Sequence, residues 1–122
     1  MAAKDDLGRA GEARAARHLE SHGYTVVDRN WRCDAGEIDL VAMTASEVVI
    51  VEVKTRRGEA FGHPLEAIDA RKKQRLWRLG VAWVASHRDA VQGRRLRFAA
   101  VAVTGADPAT GRVEMLADLD LR

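Results

Sequence analysis

The stretch GEIDLVAMTASEVVIVEVKTR, residues 36–56, constrains the fold more than any other part of the chain. Two apolar runs alternate with period two and are joined by a short polar segment. That pattern predicts a β-hairpin with strands over 37–43 and 48–55 and a turn over 44–47. Alternation assigns Glu37, Asp39 and Val41 to one face of the first strand and Ile38, Leu40 and Ala42 to the other. On the return strand Ile50, Glu52 and Lys54 share a face, opposite Val49, Val51 and Val53. An even turn centred between Ala45 and Ser46 opposes Met43 to Val48, Asp39 to Glu52 and Glu37 to Lys54. Directly opposed side chains have Cβ atoms about 5 Å apart and point the same way, so Asp39 and Glu52 aim two carboxylates at one small volume.

Like charges opposed across strands are destabilising. Protonation of one carboxyl, the Lys54 ammonium or a divalent cation would offset the repulsion. Two carboxylates suit Mg²⁺ or Mn²⁺, which retain waters and accept phosphate oxygens as further ligands. Lys54, two residues along the same face, can hold an attacking water or steady developing negative charge. Together these groups describe a metal-assisted phosphodiester hydrolysis site. The competing reading is an amphipathic hairpin whose polar face is solvated and whose Glu37–Lys54 pair is an ordinary cross-strand ion pair.

Residues 5–22 predict a helix, capped by Asp5 or Asp6 and followed by Gly23. Its stripe is Gly8, Ala15, Ala16 and Leu19, and Glu12 falls inside that stripe. A carboxylate on a packed face needs a partner. If this helix packs on the acid face, Glu12 joins Asp39 and Glu52 around a cation. If it does not, Glu12 is a stripe-edge residue reaching water. Residues 24–31 predict a first strand, and residues 56–64 a loop broken by two glycines and Pro64. Asp69 caps a second helix running to about His87, with Leu76, Leu79, Gly80 and Trp83 as its core stripe. Residues 94–104 predict a strand, apolar on both faces over 98–103 as an inner strand is. A turn over 105–111 and a short strand over 112–118 follow. The order of one helix, three strands, one helix and two strands predicts a single α/β domain over residues 1–122, with helices flanking one central mixed sheet.

The chain has 122 residues, long enough for a core without staples. Cys33 is its one cysteine, which excludes an intramolecular disulfide and a cysteine-rich zinc site. No apolar run approaches a membrane span, and the first residues lack the apolar core of a signal peptide, so no membrane partner and a reducing cytoplasm are expected. The net charge of +2 is unevenly spread. Residues 54–97 carry twelve Lys and Arg against four Asp and Glu, while the remainder carries eight against fourteen. That separation fits either a basic surface for a polyanion beside an acidic patch or a solvated helix face and an arginine-rich loop.

The segments GEIDLVA and VEVKTR, with GEARAARHLESHGY upstream, resemble the YraN family of small bacterial proteins, within the PD-(D/E)xK nuclease superfamily. The resemblance runs from about Gly8 to the final strand and extends to archaeal Holliday-junction resolvases. It implies a restriction-endonuclease-like αβββαβ core and a nuclease acting on nucleic acid, DNA above all. A non-catalytic nucleic-acid-binding module that keeps the fold is the alternative. It also implies Mg²⁺ or Mn²⁺ held by Asp39, Glu52 and the backbone carbonyl of Val53. Lys54 would serve the nucleophilic water, Glu12 would be the helix-borne acid and Glu37 an outer ligand. Lys72 matches a basic residue early in the second helix of relatives, and Gln74 is a weaker match. Junction-cutting relatives pair, so a homodimer is an expectation of the same kind. Ala99 departs from the pattern, because relatives place an Asp there.

Arg56 and Arg57, directly after Lys54, are placed to grip a backbone phosphate or to sit solvated in the loop. His18 and His22 are four apart on the first helix, but no further ligand joins them. His63 lies in the Gly/Pro loop and reads first as a loop histidine with no role, with contact to a phosphate as the second reading. The Gly8 and Gly11 spacing reads as close helix packing rather than a phosphate loop. Trp31, Trp77 and Trp83 are expected in the core, with base stacking as the other use of such rings.

Overall fold

The computed structural model describes residues 3–58, 68–119 and 121. Helix α1 spans Ala3–Ser21, followed by strands β1 (Thr25–Cys33), β2 (Gly36–Met43) and β3 (Glu47–Arg56). Helix α2 (Ala70–Ser86) and a single turn of helix α3 (Arg88–Val91) lead to β4 (Arg95–Thr104). A 3₁₀ turn at Pro108–Thr110 precedes β5 (Arg112–Leu116). The five strands form one mixed sheet in the order β1-β2-β3-β4-β5. Only β3 and β4 run parallel, in register from Glu47 with Arg95 to Arg56 with Thr104. The fold is therefore α/β with a five-stranded mixed sheet flanked by helices, consistent with a restriction-endonuclease-like core. No helix among the described residues is long and apolar enough to cross a membrane.

The two faces of the sheet carry separate cores. On one, Ala15, Ala16 and Leu19 of α1 pack on Leu40, Ala42, Val49, Val51, Val53, Ala99 and Val101. On the other, Leu76, Leu79 and Trp83 of α2 pack on Ile38, Val41, Val48, Ile50, Phe98 and Ala100. Truncating a fully buried leucine such as Leu79 costs about 2–5 kcal/mol. Because β3 and β4 are covered on both sides, their residues are apolar in both alternating sets, as expected over 98–103.

Glycine sets the closeness of both helices. A side chain at Gly11 would collide with Thr55 of β3, whereas one at Gly8 would meet nothing, so close packing explains Gly11 and not Gly8. A Cβ at Gly80 would lie 2.7 Å from the Phe98 ring, so α2 rides directly on β4. Asp69 caps α2 as expected, its Oδ1 accepting the Lys72 backbone N–H at 2.9 Å. The far end of α2 is tied to β1, where Trp83 Nε1 donates to Asp28 Oδ2 at 2.9 Å. The N-terminal cap differs from expectation: α1 begins at Ala3, so Asp6 lies within its first turns and pairs with Arg9 at 4.0 Å. The Gly/Pro loop, His63 included, lies outside the described residues, and α3 was not foreseen.

Candidate functional site

The β2–β3 register is the one the even turn dictates. Met43 opposes Val48, and the ladder runs through Leu40 opposite Val51. There it stops. One residue further, the Asp39 side chain takes the place of the next rung, its Oδ2 accepting the Val53 backbone N–H at 2.7 Å. The Asp39 carboxyl thus lies in the opening between the two strands, beside the Glu52 carboxyl in the same cleft. Glu52 is 7% exposed. Lys54 Nζ stands 3.7 Å from Glu52 Oε2. Asp39, Glu52, Lys54, Gly36, Glu37 and Arg75 line a polar cleft of about 320 Å³.

The break in the ladder has a cause on the neighbouring strand. β1 and β2 pair at Arg29 with Leu40 and at Trp31 with Ile38, but not at Asn30 with Asp39. Asn30 has φ 51°, a left-handed conformation that asparagine tolerates better than most residues. Across this kink the strand changes face. Ile38 packs with Val41 on the α2 side, whereas Leu40 and Ala42 pack on the α1 side. The simple alternation that grouped Ile38 with Leu40 and Ala42 is corrected here. The Glu37–Lys54 ion pair of the competing reading does not form: Glu37 Oε2 accepts from Arg32 Nε at 2.9 Å, and Lys54 turns to Glu52.

Helix α1 does not lie over Glu52 and Lys54. It packs on the Val49, Val51 and Val53 side, and α2 roofs the cleft instead. Glu12 nevertheless reaches the edge of the site, near the Asn30 side chain and within the fields of Glu37 and Glu52. Among the described residues no three His, Cys, Asp or Glu side chains gather into one metal-holding group. Glu12 and Glu37 are each held by another partner, and the close pair is Asp39 with Glu52.

Electrostatics at the pair are strained. Burial, the hydrogen bond to Glu52 and the Glu52 charge together push the Asp39 carboxyl up to about 8, against the pull of the Val53 N–H. Burial also raises Glu12, opposed by the Asn30 hydrogen bond and reinforced by the Glu37 and Glu52 charges. From the roof, Lys72 approaches Lys54, whose positive charge, with burial, holds the Lys72 ammonium below the usual lysine range. The sheetward direction expected for Lys72 is thereby observed. Gln74, Arg56 and Arg57 are exposed. Arg75, which the sequence did not single out, lies against Gly36 at the rim. Its angular position, 300° around the helix from Lys72 at 100° per residue, was the available signal.

Two oxygen donors in a polar cleft fit a hard divalent cation, since Mg²⁺ is commonly held by one or two carboxylates with waters and substrate phosphates completing its shell. The pair also matches the electrostatic need, because a doubly charged partner would offset the repulsion of two adjacent buried carboxyls. Ala99 sits on the opposite face among Val51, Val101 and α1, so the acid missing there does not border this cleft. Of the tryptophans, Trp83 is buried and Trp31 packs partly buried against the α2 core, but Trp77 is 52% exposed, contrary to expectation. His18 and His22 stack at 4.1 Å with His22 Nδ1 on the His18 carbonyl, and the described residues add no third ligand.

A family model described as "Uncharacterised protein family UPF0102" matches residues 11–103. The chain is 52% identical over 106 residues to a UPF0102 protein of Arthrobacter sp. (strain FB24), covering 87% of this chain and 90% of that protein. It is 50% identical over 116 residues to one of Beutenbergia cavernae, covering 95% and 97%. Among solved structures, the SPO1766 protein of unknown function from Silicibacter pomeroyi aligns at TM-score 0.38 and 15% identity. It spans 88% of this chain and 68% of its own, a likeness too distant to carry the fold.

Proposed function

The chain belongs to the uncharacterised protein family UPF0102, and from this premise we propose that it is a metal-dependent nuclease hydrolysing phosphodiester bonds of nucleic acid, with DNA as substrate. The observation that carries the reading is the Asp39–Glu52 pair. Two carboxyls meet in one cleft where the ladder opens, with an ammonium 3.7 Å from one of them. A purely structural pair at this depth is a cost, since like charges in a partly desolvated site repel. Perturbed carboxyls in a cleft are a mark of functional sites.

Asp39 and Glu52, with the Val53 carbonyl, would hold Mg²⁺ or Mn²⁺. A cation bound there would supply Lewis-acid polarisation of a phosphoryl oxygen and a more acidic water. The Val53 N–H fixes one Asp39 oxygen, so the carboxyl is oriented before any ligand arrives. Lys54 donates to the attacking water or to the oxygen on which negative charge develops. Lys72 adds a second positive charge above Lys54, which favours an anionic substrate between them. Glu12 and Asn30 close the α1 edge and add negative potential that favours cation entry. Arg56, Arg57 and Arg75 grip flanking phosphates, with Gln74 on the same helix. DNA is favoured over RNA by the likeness of GEIDLVA and VEVKTR to restriction-endonuclease-like motifs.

The test is a cleavage screen over branched, single-stranded and duplex DNA with Mn²⁺, beside the Asp39→Asn protein. Cleavage by wild type that Asp39→Asn loses supports the nuclease. Wild type that binds DNA and cuts none of these substrates with either metal overturns it.

A further inference from the structure

The outer surface of α2 carries chemistry that the cleft does not use. The helix holds Arg71, Lys72, Lys73, Arg75 and Arg78 and not one acid. Lys72 is engaged with Lys54, and Arg71 feels the Asp69 cap. The other three form no salt bridge with a described carboxylate. At 100° per residue, Arg71, Arg75 and Arg78 line one flank of the helix, the one that reaches β2 through Arg75 and Gly36.

Trp77 lies on the other flank. Among the described aromatic side chains it is the exposed one: Phe98 and Trp83 are buried, and Tyr24 and Trp31 are partly buried. Its ring is braced from below by Phe98, at 5.8 Å between centroids and 40° between planes. Beside it opens a groove of about 480 Å³, bordered by Leu96, Phe98, Leu119 and Leu121 together with Arg95, Arg97 and Asp118. Val81, one turn further, is 45% exposed and extends the apolar strip. Trp77 stands about 7.5 Å along the helix axis from Lys72, so the groove and the cleft share one roof.

Tryptophan and arginine occur in protein interfaces as well, so the charge balance decides the occupant: five cations and no acid on one helix complement a polyanion. A braced aromatic ring with Lys73 one turn before it and Arg78 beside it, neither in a salt bridge with a described carboxylate, is the combination that single-stranded nucleic acid needs: a π-face for a base and positive charge for the backbone. Duplex DNA keeps its base faces stacked inside and offers none to Trp77. We propose that α2 is a docking platform for a single strand, with one unpaired base on Trp77 and the adjoining phosphates on Lys73, one turn before it, and Arg78. The platform rests on the nuclease reading, to which it adds a substrate class: DNA with an unpaired segment beside the scissile bond.

The probes are a 5′-labelled oligo(dT) and a duplex of equal length, each titrated by fluorescence anisotropy with Ca²⁺ present. The same samples are melted with and without Mn²⁺. Wild type binds oligo(dT) more tightly than duplex. Trp77→Ala weakens oligo(dT) binding about tenfold or more, Trp77→Phe restores most of it, and duplex binding changes little. Equal binding of oligo(dT) by wild type and Trp77→Ala overturns the platform. So does a dimer, seen by sedimentation, that Trp77→Ala dissociates without touching oligo(dT) binding. If Mn²⁺ still raises the melting temperature in either case, the cleft reading stands while the platform falls. If Mn²⁺ leaves melting unchanged but the Trp77 effect persists, the cleft reading falls and α2 remains a strand-binding surface.

Discussion

Asp39 Oδ2 accepts the Val53 backbone N–H at 2.7 Å across the point where the β2–β3 ladder stops. The side chain substitutes for a rung of the sheet. That substitution satisfies a backbone donor in a partly buried site and holds the carboxyl beside Glu52. The geometry of the pair is thus part of the sheet's own hydrogen bonding.

The first consequence concerns pH. Asp39 is raised from 3.8 to about 8 in the fold, so between those values the native state binds more protons than the unfolded chain. Its stabilising contribution is fully present below about pH 4 and is lost as pH rises through about 8. Denaturant melts of the metal-free protein from pH 5 to 9 will therefore show stability falling with a steeper slope in wild type than in Asp39→Asn. The Asn variant keeps an oxygen for the Val53 N–H and carries no charge, so it will be the more stable protein at pH 9. Equal slopes in the two proteins would refute the raised carboxyl.

Metal reverses that order. A cation that binds the native pair stabilises by mass action, about 2.7 kcal/mol at a concentration one hundred times its Kd. Mn²⁺ or Mg²⁺ will raise the melting temperature of wild type, more at pH 8 than at pH 6, because binding displaces the shared proton. Chelation with EDTA will reverse the shift, and Asp39→Asn and Glu52→Gln will abolish it. A shift that survives both substitutions would place the cation elsewhere.

Lys54 separates binding from chemistry. Lys54→Met removes the ammonium but leaves both carboxylates, so the Mn²⁺ melting shift will persist while cleavage falls by about 10²- to 10³-fold. Rates of single-turnover cleavage with saturating enzyme read this directly. A variant that cuts at the wild-type rate would remove Lys54 from the mechanism.

Gly80 tests the roof. A methyl group there meets the Phe98 ring at 2.7 Å, so Gly80→Ala will lift α2 from β4 and destabilise by about 1–3 kcal/mol, despite the better helix propensity of alanine. Chemical denaturation gives the value. A neutral or stabilising result would mean that Phe98 swings clear at no cost.

Much of this site could be read from the residues alone. The strand boundaries, the hairpin register and the meeting of Asp39 with Glu52 follow from period-two alternation and an even turn. The Asp69 cap and the Leu76, Leu79, Gly80 and Trp83 stripe follow from helical spacing. The side chosen by α1 did not, because a helix stripe says that a face is buried and not which side of the sheet buries it. The face change between Ile38 and Leu40 was hidden for another reason. It depends on a left-handed Asn30 on a neighbouring strand, and a single asparagine leaves no periodic trace. Trp77 was missed because aromatic size argues for burial, although helical spacing sets it about 110° from the middle of the Leu76, Leu79, Gly80 and Trp83 stripe.

The parallel pairing of β3 with β4 also sets a sequence of events during folding. The hairpin closes over a short loop, whereas β4 reaches its partner only after the chain has travelled through α2, and contacts of such separation form late. In the nascent hairpin Asp39 and Glu52 are hydrated and repel weakly. Docking of the distant strand and its helix strips that water away. The molecule thus defers the cost of crowding two acids until its last long-range contacts assemble, when the gain in buried apolar surface is greatest.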